Sequence, residues 1–367
     1  MNHDLLAHKR LIYVAAESGV SGIGDFADEF LGAVAPYFGT VETLRHGPPG
    51  ESTAHDIRQG RLALAQLVGA GPSGSTVVHF ELSGGAVVPF WTVPSARPAP
   101  VTGTVHDAPW PVWWPLRTRG VANRTLLHHG LHYPVQPVMA AVQRRVIGDS
   151  SLFVMTGAGA RETRRRFPRA RIIETEHHVP ERPPIPAPAE RPLAVGLFGH
   201  VYKGKGFDQL VALRETLDPS IAIRVAGRGT ENLAPVDGVE ILGPVDGAAE
   251  DAFFSSIRAM LLPYDKRSHY GTVYPASGVL MRAIAYRTPV VCSGYGALAD
   301  YPETDGIIPV RGEIGDLAAV AADVIGDGVR LRALTAGVSG FAERAGIDQT
   351  VQPYLAEWVR LLSSGTR

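Results

Sequence analysis

The sequence has little cysteine, no excess of either charge and no long apolar run, and each shortage removes a class of protein. Its single cysteine, Cys292, excludes an intramolecular disulfide framework. Set in the apolar run Pro289-Val290-Val291-Cys292, it reads as a buried, inert thiol rather than a nucleophile. Lys and Arg number 35 against 36 Asp and Glu, a formal net charge of −1, so nothing electrostatic points to nucleic acid as a partner. The basic stretch at residues 161–171 reads as a solvated helix face. No window approaches the roughly 20 consecutive apolar residues that cross a bilayer. Nothing in Met1-Asn2-His3-Asp4 and the polar stretch after it reads as a signal peptide. The expectation is a cytoplasmic protein, with peripheral contact at the inner membrane face left open.

What is present is enough for two cores. The chain has 367 residues, of which 45% are hydrophobic and 19% charged. Short β-rich apolar runs alternate with helical patterns. Strands are expected at 10–16, 40–44, 76–81, 101–106, 152–156 and 171–174, then at 193–199, 222–226, 239–242, 259–263, 289–293 and 307–310. Several are apolar on both faces, as parallel strands covered on each side must be. The alternation predicts an α/β protein with open, doubly wound sheets. Between the halves, Val179-Pro180-Glu181-Arg182-Pro183-Pro184-Ile185-Pro186-Ala187-Pro188 cannot continue a helix or sit inside a sheet. The expected organisation is a Rossmann-like domain at 1–179, a proline-rich linker at 180–192, a second Rossmann-like domain at 193–345, and a C-terminal helix at 346–367. That helix closes the second domain or crosses back to the first.

Three segments carry chemistry. Glu17-Ser18-Gly19-Val20-Ser21-Gly22-Ile23-Gly24-Asp25 lies between a strand and a helix with Phe26, Phe30, Val34 and Phe38 on one face. Glycines there let backbone approach a ligand, and a helix N-terminus offers N–H groups to phosphate; a plain turn uses the same residues. Gly199-His200-Val201-Tyr202-Lys203-Gly204-Lys205-Gly206-Phe207-Asp208 follows the first strand of the second half. Its lysine suits a diphosphate leaving group, though an exposed basic loop looks alike. In Tyr270-Gly271-Thr272-Val273-Tyr274-Pro275-Ala276-Ser277-Gly278-Val279, a Ser-Gly turn opens a helix whose first amides, at Ser277, Gly278 and Val279, suit the same diphosphate. Neither glycine loop completes G-x-G-x-x-G after its strand, which argues against an NAD-dependent dehydrogenase.

Taken in order, these segments resemble the retaining group-1 glycosyltransferases of GT-B fold. Gly22-Ile23-Gly24 looks like their donor-side glycine loop, and Phe198-Gly199 to Lys205-Gly206-Phe207-Asp208 resembles their G-R-x4-K-G-F-D segment. Residues 277–291 resemble their F-G-L-V-x-L-E-A-M-A-x-G-x-P-V-V block, with Ala226-Gly227-Arg228-Gly229, Leu242-Gly243-Pro244-Val245 and Leu262-Pro263-Tyr264 in order between. The resemblance implies two Rossmann-like domains facing a cleft. It implies a nucleoside-diphosphate sugar as co-substrate, a hydroxyl acceptor (small molecule, glycan or lipid-linked sugar), and transfer of a hexose-type sugar with retention. Lys205 then stabilises the diphosphate and His106, at a strand end, contacts the donor sugar. Arg228, Gly243 and Val245 lie near the base.

The pattern also departs from that family. His200 stands where the family has arginine, and Tyr274 and Arg282 stand where it has the two glutamates of E-x7-E. A guanidinium cannot accept hydrogen bonds from ribose hydroxyls. Either Arg282 has moved to the diphosphate, the reading favoured here, or the ribose is held otherwise, or donor binding is lost and the chain is a non-catalytic GT-B partner. An epimerase or phosphorylase on the same fold is a further alternative.

On the acceptor side, His79 and Glu81 end a strand. Residues 109–145 hold Trp110, Trp113 and Trp114, then Arg117, Arg119 and Arg124, then His128, His129 and His132. The tryptophans suit a membrane interface, an acceptor pocket, or packing under a loop. The histidines lack metal-ligand spacing, and no cofactor or protein-bound metal is expected.

Overall fold

A computed structural model of the chain describes residues 3–19, 21–72, 74–122, 125–265 and 273–363. It divides into two compact units. The first comprises Met1–Glu176, Val273–Ala276 and Ile347–Arg367, and the second His177–Thr272 and Ser277–Gly346.

The first unit is built on a six-stranded parallel sheet of β1 (Arg10–Ala16), β2 (Thr40–His46), β3 (Thr76–Leu82), β4 (Val101–Val105), β5 (Ser151–Val154) and β6 (Arg171–Glu174), in the order β2-β1-β3-β4-β5-β6. Alternate residues of β1 serve opposite faces, as the period of two requires. Leu11, Tyr13 and Ala15 enter one core with Phe26, Phe30 and Phe38, while Ile12 and Val14 enter the other with Phe90 and Val105. The helix Gln352–Ser363 belongs to the first of these cores. It buries Tyr354, Leu355, Trp358 and Leu362, and the Trp358 indole N–H donates to the Thr102 hydroxyl at 3.0 Å.

The second unit holds a six-stranded parallel sheet of β7 (Ala194–Phe198), β8 (Ala222–Ala226), β9 (Val239–Ile241), β10 (Ala259–Leu262), β11 (Val290–Ser293) and β12 (Ile307–Val310), in the order β12-β11-β10-β7-β8-β9. Met260, Leu262, Val290 and Cys292 face one core, and Ala259, Leu261 and Val291 the other. Cys292 is wholly buried, and burial pushes its thiol up to about 12. Within the proline-rich stretch, Arg191 is buried and ties that end of it to this unit. Its guanidinium donates to the Tyr286 carbonyl and the Thr288 hydroxyl, both at 2.8 Å, and burial pulls its pKa to about 10.

In each sheet the strand order reverses once, between β1 and β3 and between β7 and β10. Open α/β sheets bind ligands outside the carboxyl ends of strands at such reversals, because the flanking connections diverge to opposite faces there.

Candidate functional site

At the reversal in the second unit, β7 runs into the loop that carries Lys205, and β10 runs into Pro263-Tyr264-Asp265. The Lys205 ammonium lies 3.7 Å from the centroid of the Tyr264 ring and 5.2 Å from that of Tyr202. A ring face attracts a cation without cancelling its charge. The Tyr264 hydroxyl is 3.1 Å from the Ser277 hydroxyl, which caps the helix Gly278–Ala285 by accepting from the Leu280 N–H at 3.3 Å. Burial pushes the Tyr264 phenol up, more than the Ser277 hydrogen bond lowers it, so the hydroxyl stays neutral. Val279 packs so close to Gly199 that a Cβ there would lie 2.9 Å from its methyl group. Lys205, Ser277, Gly278 and Val279 therefore gather at one point with Tyr264. A cation, hydroxyls and a helix start with amides unpaired inside the helix together suit an anion.

Other residues expected at this site lie elsewhere or are otherwise engaged. His200 is exposed on the same loop, and Arg228 is exposed past β8 with its carbonyl accepting the Val201 N–H at 3.0 Å. The Gly243 carbonyl, past β9, accepts the Gly227 N–H at 2.8 Å, and Val245 is half-buried against the core. Arg282 corrects the sequence reading. Its guanidinium donates to Glu250 at 2.7 Å, so it is committed to a carboxylate of its own unit rather than turned to a diphosphate. Glu250, on the helix Ala248–Ser255, is buried and also pairs with Arg182 at 3.1 Å. Tyr274 lies among first-unit residues, its N–H donating to the Ala108 carbonyl at 2.6 Å and its carbonyl accepting from Thr156 at 3.0 Å. Tyr270, Gly271 and Thr272, like Val20, lie outside the described residues.

In the first unit the carboxyl ends of β1, β3 and β4 converge on a polar cluster. Glu81, on β3, is 1% exposed. It accepts from His106 Nε2 at 2.6 Å through one oxygen, and from the Tyr13 hydroxyl at 2.5 Å and His79 Nε2 at 3.2 Å through the other. Burial alone raises a carboxyl pKa, but hydrogen bonds and charge from His106 and His79 outweigh it and hold Glu81 below the usual carboxylate range. His79 is wholly buried among Tyr13, Phe30, Phe153 and Trp358, with Nδ1 2.8 Å from the Thr102 hydroxyl. Neither His79 nor Glu81 is presented to an acceptor, which corrects their expected place on a cleft wall; both stand behind His106. His106 is 8% exposed, and the Phe26 ring meets it edge-on at 5.0 Å.

The glycine loop after β1 has a packing reason of its own. A Cβ on Gly24 would lie 2.2 Å from the Glu17 carbonyl oxygen, so this helix can start only with glycine there. Ser21 caps the helix Gly22–Val34 by accepting from the Gly24 N–H, whereas Gly22 meets open space and Ile23 is half-buried.

The tryptophans resolve toward packing. Trp110 and Trp114 are buried, and the Arg166 guanidinium lies 4.0 Å over the Trp110 ring. Trp113 is half-buried, with its ring against Gly84. These three do not form an exposed stripe for a membrane. Arg124 and the side chains of His128, His129 and His132 lie outside the described residues. Among the described residues, no helix is long and apolar enough to cross a membrane, and no three His, Cys, Asp or Glu side chains gather as a metal site.

Tyr13, Tyr264 and Glu250 carried no expectation. Their signals are a strand order and a buried acid, neither of which is readable before the fold.

No family model matches the chain, and no curated protein matches it. Solved structures do. Anabaena HepE in complex with UDP and glucose aligns over 95% of this chain and 100% of its own, at 12% identity and a TM-score of 0.64. Its complex with UDP-glucose aligns over 96% and 100%, at 11% identity and the same score of 0.64. The apo form of the lipopolysaccharide outer core galactosyltransferase WaaB aligns over 97% and 99%, at 11% identity and a TM-score of 0.60. The fold is therefore GT-B, an α/β architecture of two Rossmann-like domains.

Proposed function

We propose that the chain is a glycosyltransferase that takes a sugar from a nucleoside-diphosphate donor and passes it to a hydroxyl. The observation that carries this reading is the meeting of Lys205, Tyr264 and the Ser277-capped helix at the strand reversal of the second unit. Breaking a glycosyl–phosphate bond leaves negative charge on the diphosphate, and a cation with helix amides fixed in advance stabilises that charge as it develops. Similarity to glycosyltransferases crystallised with UDP and UDP-glucose supports the reading and makes uridine the first base to try. The hydroxyl acceptor is assigned to the first unit, and His106 is the residue that the motif resemblance implies to contact the donor sugar. Retention of configuration is the outcome that the motif resemblance implies, and no cofactor or protein-bound metal is invoked. Replacing Lys205 by Ala should lower turnover with UDP-glucose by on the order of 100-fold. Turnover within a few-fold of the parent would remove Lys205 from the mechanism.

A second reading is favoured by one observation. Arg282 pairs with Glu250, and as a donor it cannot replace a carboxylate that accepts from ribose hydroxyls. A chain that bound no nucleoside diphosphate would be a non-catalytic GT-B partner of another transferase.

A further inference from the structure

The polar cluster of the first unit is more specific than a histidine at a strand end requires. Glu81 is enclosed, and everything that meets its oxygens is a donor: the Tyr13 hydroxyl, His79 Nε2, the Thr104 hydroxyl at 3.4 Å, and His106 Nε2. An ionised carboxylate only accepts, so each of these groups must bring its hydrogen to it. For His106 that fixes the proton on Nε2. Among the described residues, Nδ1 of His106 has no hydrogen-bond partner, and the ring keeps its small exposure.

The support behind Glu81 is equally determined. His79 is held from its other nitrogen by Thr102, which also accepts from Trp358, while Thr104 is 3.3 Å from the Tyr354 hydroxyl. The helix Gln352–Ser363, from the far end of the sequence, thus backs the carboxylate that orients His106. A buried charge carries a large desolvation cost, offset only by complete hydrogen bonding. A core histidine needing nothing more than a partner for packing would find one more cheaply in a hydroxyl or a carbonyl.

We infer that Glu81 is a positioning residue that locks His106 with Nε2–H turned inward, so that Nδ1 is presented as the acceptor for a hydroxyl of a bound ligand. That the hydroxyl belongs to a sugar rests on the glycosyltransferase reading; the locked tautomer does not. No proton is transferred in this role. His106 accepts one hydrogen bond through Nδ1.

The test reads the tautomer directly. In protein labelled with ¹⁵N-histidine at pH 8, the His106 signals, assigned by their loss in His106→Asn, should show Nε2 protonated and Nδ1 bare. A proton on Nδ1 would overturn the inference, whatever the activity. In Glu81→Gln, where the amide can donate as well as accept, the single tautomer should give way to a mixture; an unchanged tautomer would count against Glu81 as its cause. Release of UDP from UDP-glucose supplies a second arm. Asparagine places its polar atoms near the position of Nδ1, whereas glutamine reaches toward that of Nε2. His106→Asn should therefore stay within about 10-fold of the parent, and His106→Gln should fall below it by about 10- to 100-fold. Equal losses would contradict the role of Nδ1. Calorimetric UDP binding, read on the same samples, fails separately if the donor reading itself is wrong.

Discussion

Gly206 shows what a single position contributes to the Lys205 loop. It sits at φ +79°, and a Cβ on it would lie 2.3 Å from the Pro263 carbonyl oxygen, next to Tyr264. Alanine there costs about 1–2 kcal/mol in the left-handed conformation and also drives the Lys205 loop off the end of β10. Gly206→Ala should lower the melting temperature and weaken nucleotide binding together; calorimetry and thermal melting on one sample would show whether both change. Glu81 gives the second prediction at this scale. Its folded pKa is depressed, so its ionisation stabilises the fold above the unfolded value of about 4.3, and that contribution is lost as pH falls further. Glu81→Gln should therefore be less stable than the parent at pH 7, with the gap narrowing by pH 3. A gap that stayed constant in thermal melts across that range would mean that the Glu81 pKa is not depressed by folding. Lys205 and His106 could be marked from the sequence because one lies in the loop after a strand and the other at a strand end, each in a recognisable context. The commitment of Arg282 to Glu250 could not, since the pairing joins two helices that only the folded unit brings together.

The strands were the most legible elements. Each expected run forms a strand, with ends shifted by a residue or two, and the central ones are the clearest because a parallel strand buried on both faces leaves an unbroken apolar signature. Their lateral order was not legible. Nothing in the local pattern says that β10 lies beside β7, and it is this adjacency that puts Tyr264 under Lys205. The three readings of the tryptophans at 110–114 stayed open for a related reason. Composition shows a cluster, but only packing shows that Trp110 and Trp114 are buried. The helix Gln352–Ser363 gives the prediction at this scale. Trp358 is wholly buried and bonded to Thr102, so Trp358→Ala should cost about 3–5 kcal/mol of first-unit stability. If the helix backs the Glu81 cluster as described, the His106 tautomer should also become mixed in that variant. A melting temperature within a degree or two of the parent would show that the helix is not part of that core.

At the scale of the whole molecule, the two sheets reverse their strand order at one point each, and each reversal carries its own polar constellation. The second unit assembles cation, hydroxyls and helix start; the first assembles a carboxylate, two histidines and a tyrosine. This division matches the requirements of group transfer, in which one partner leaves as an anion and the other arrives as a hydroxyl. The central claim is that the second unit binds a nucleoside diphosphate through Lys205. The measurement that tests it most directly is calorimetric titration of the parent and of Lys205→Ala with UDP, GDP, ADP and dTDP. The account predicts one-to-one binding of at least one of the four, UDP first among them, weakened by about 10- to 100-fold in the variant. Binding to none of them, or binding indifferent to Lys205, would contradict it.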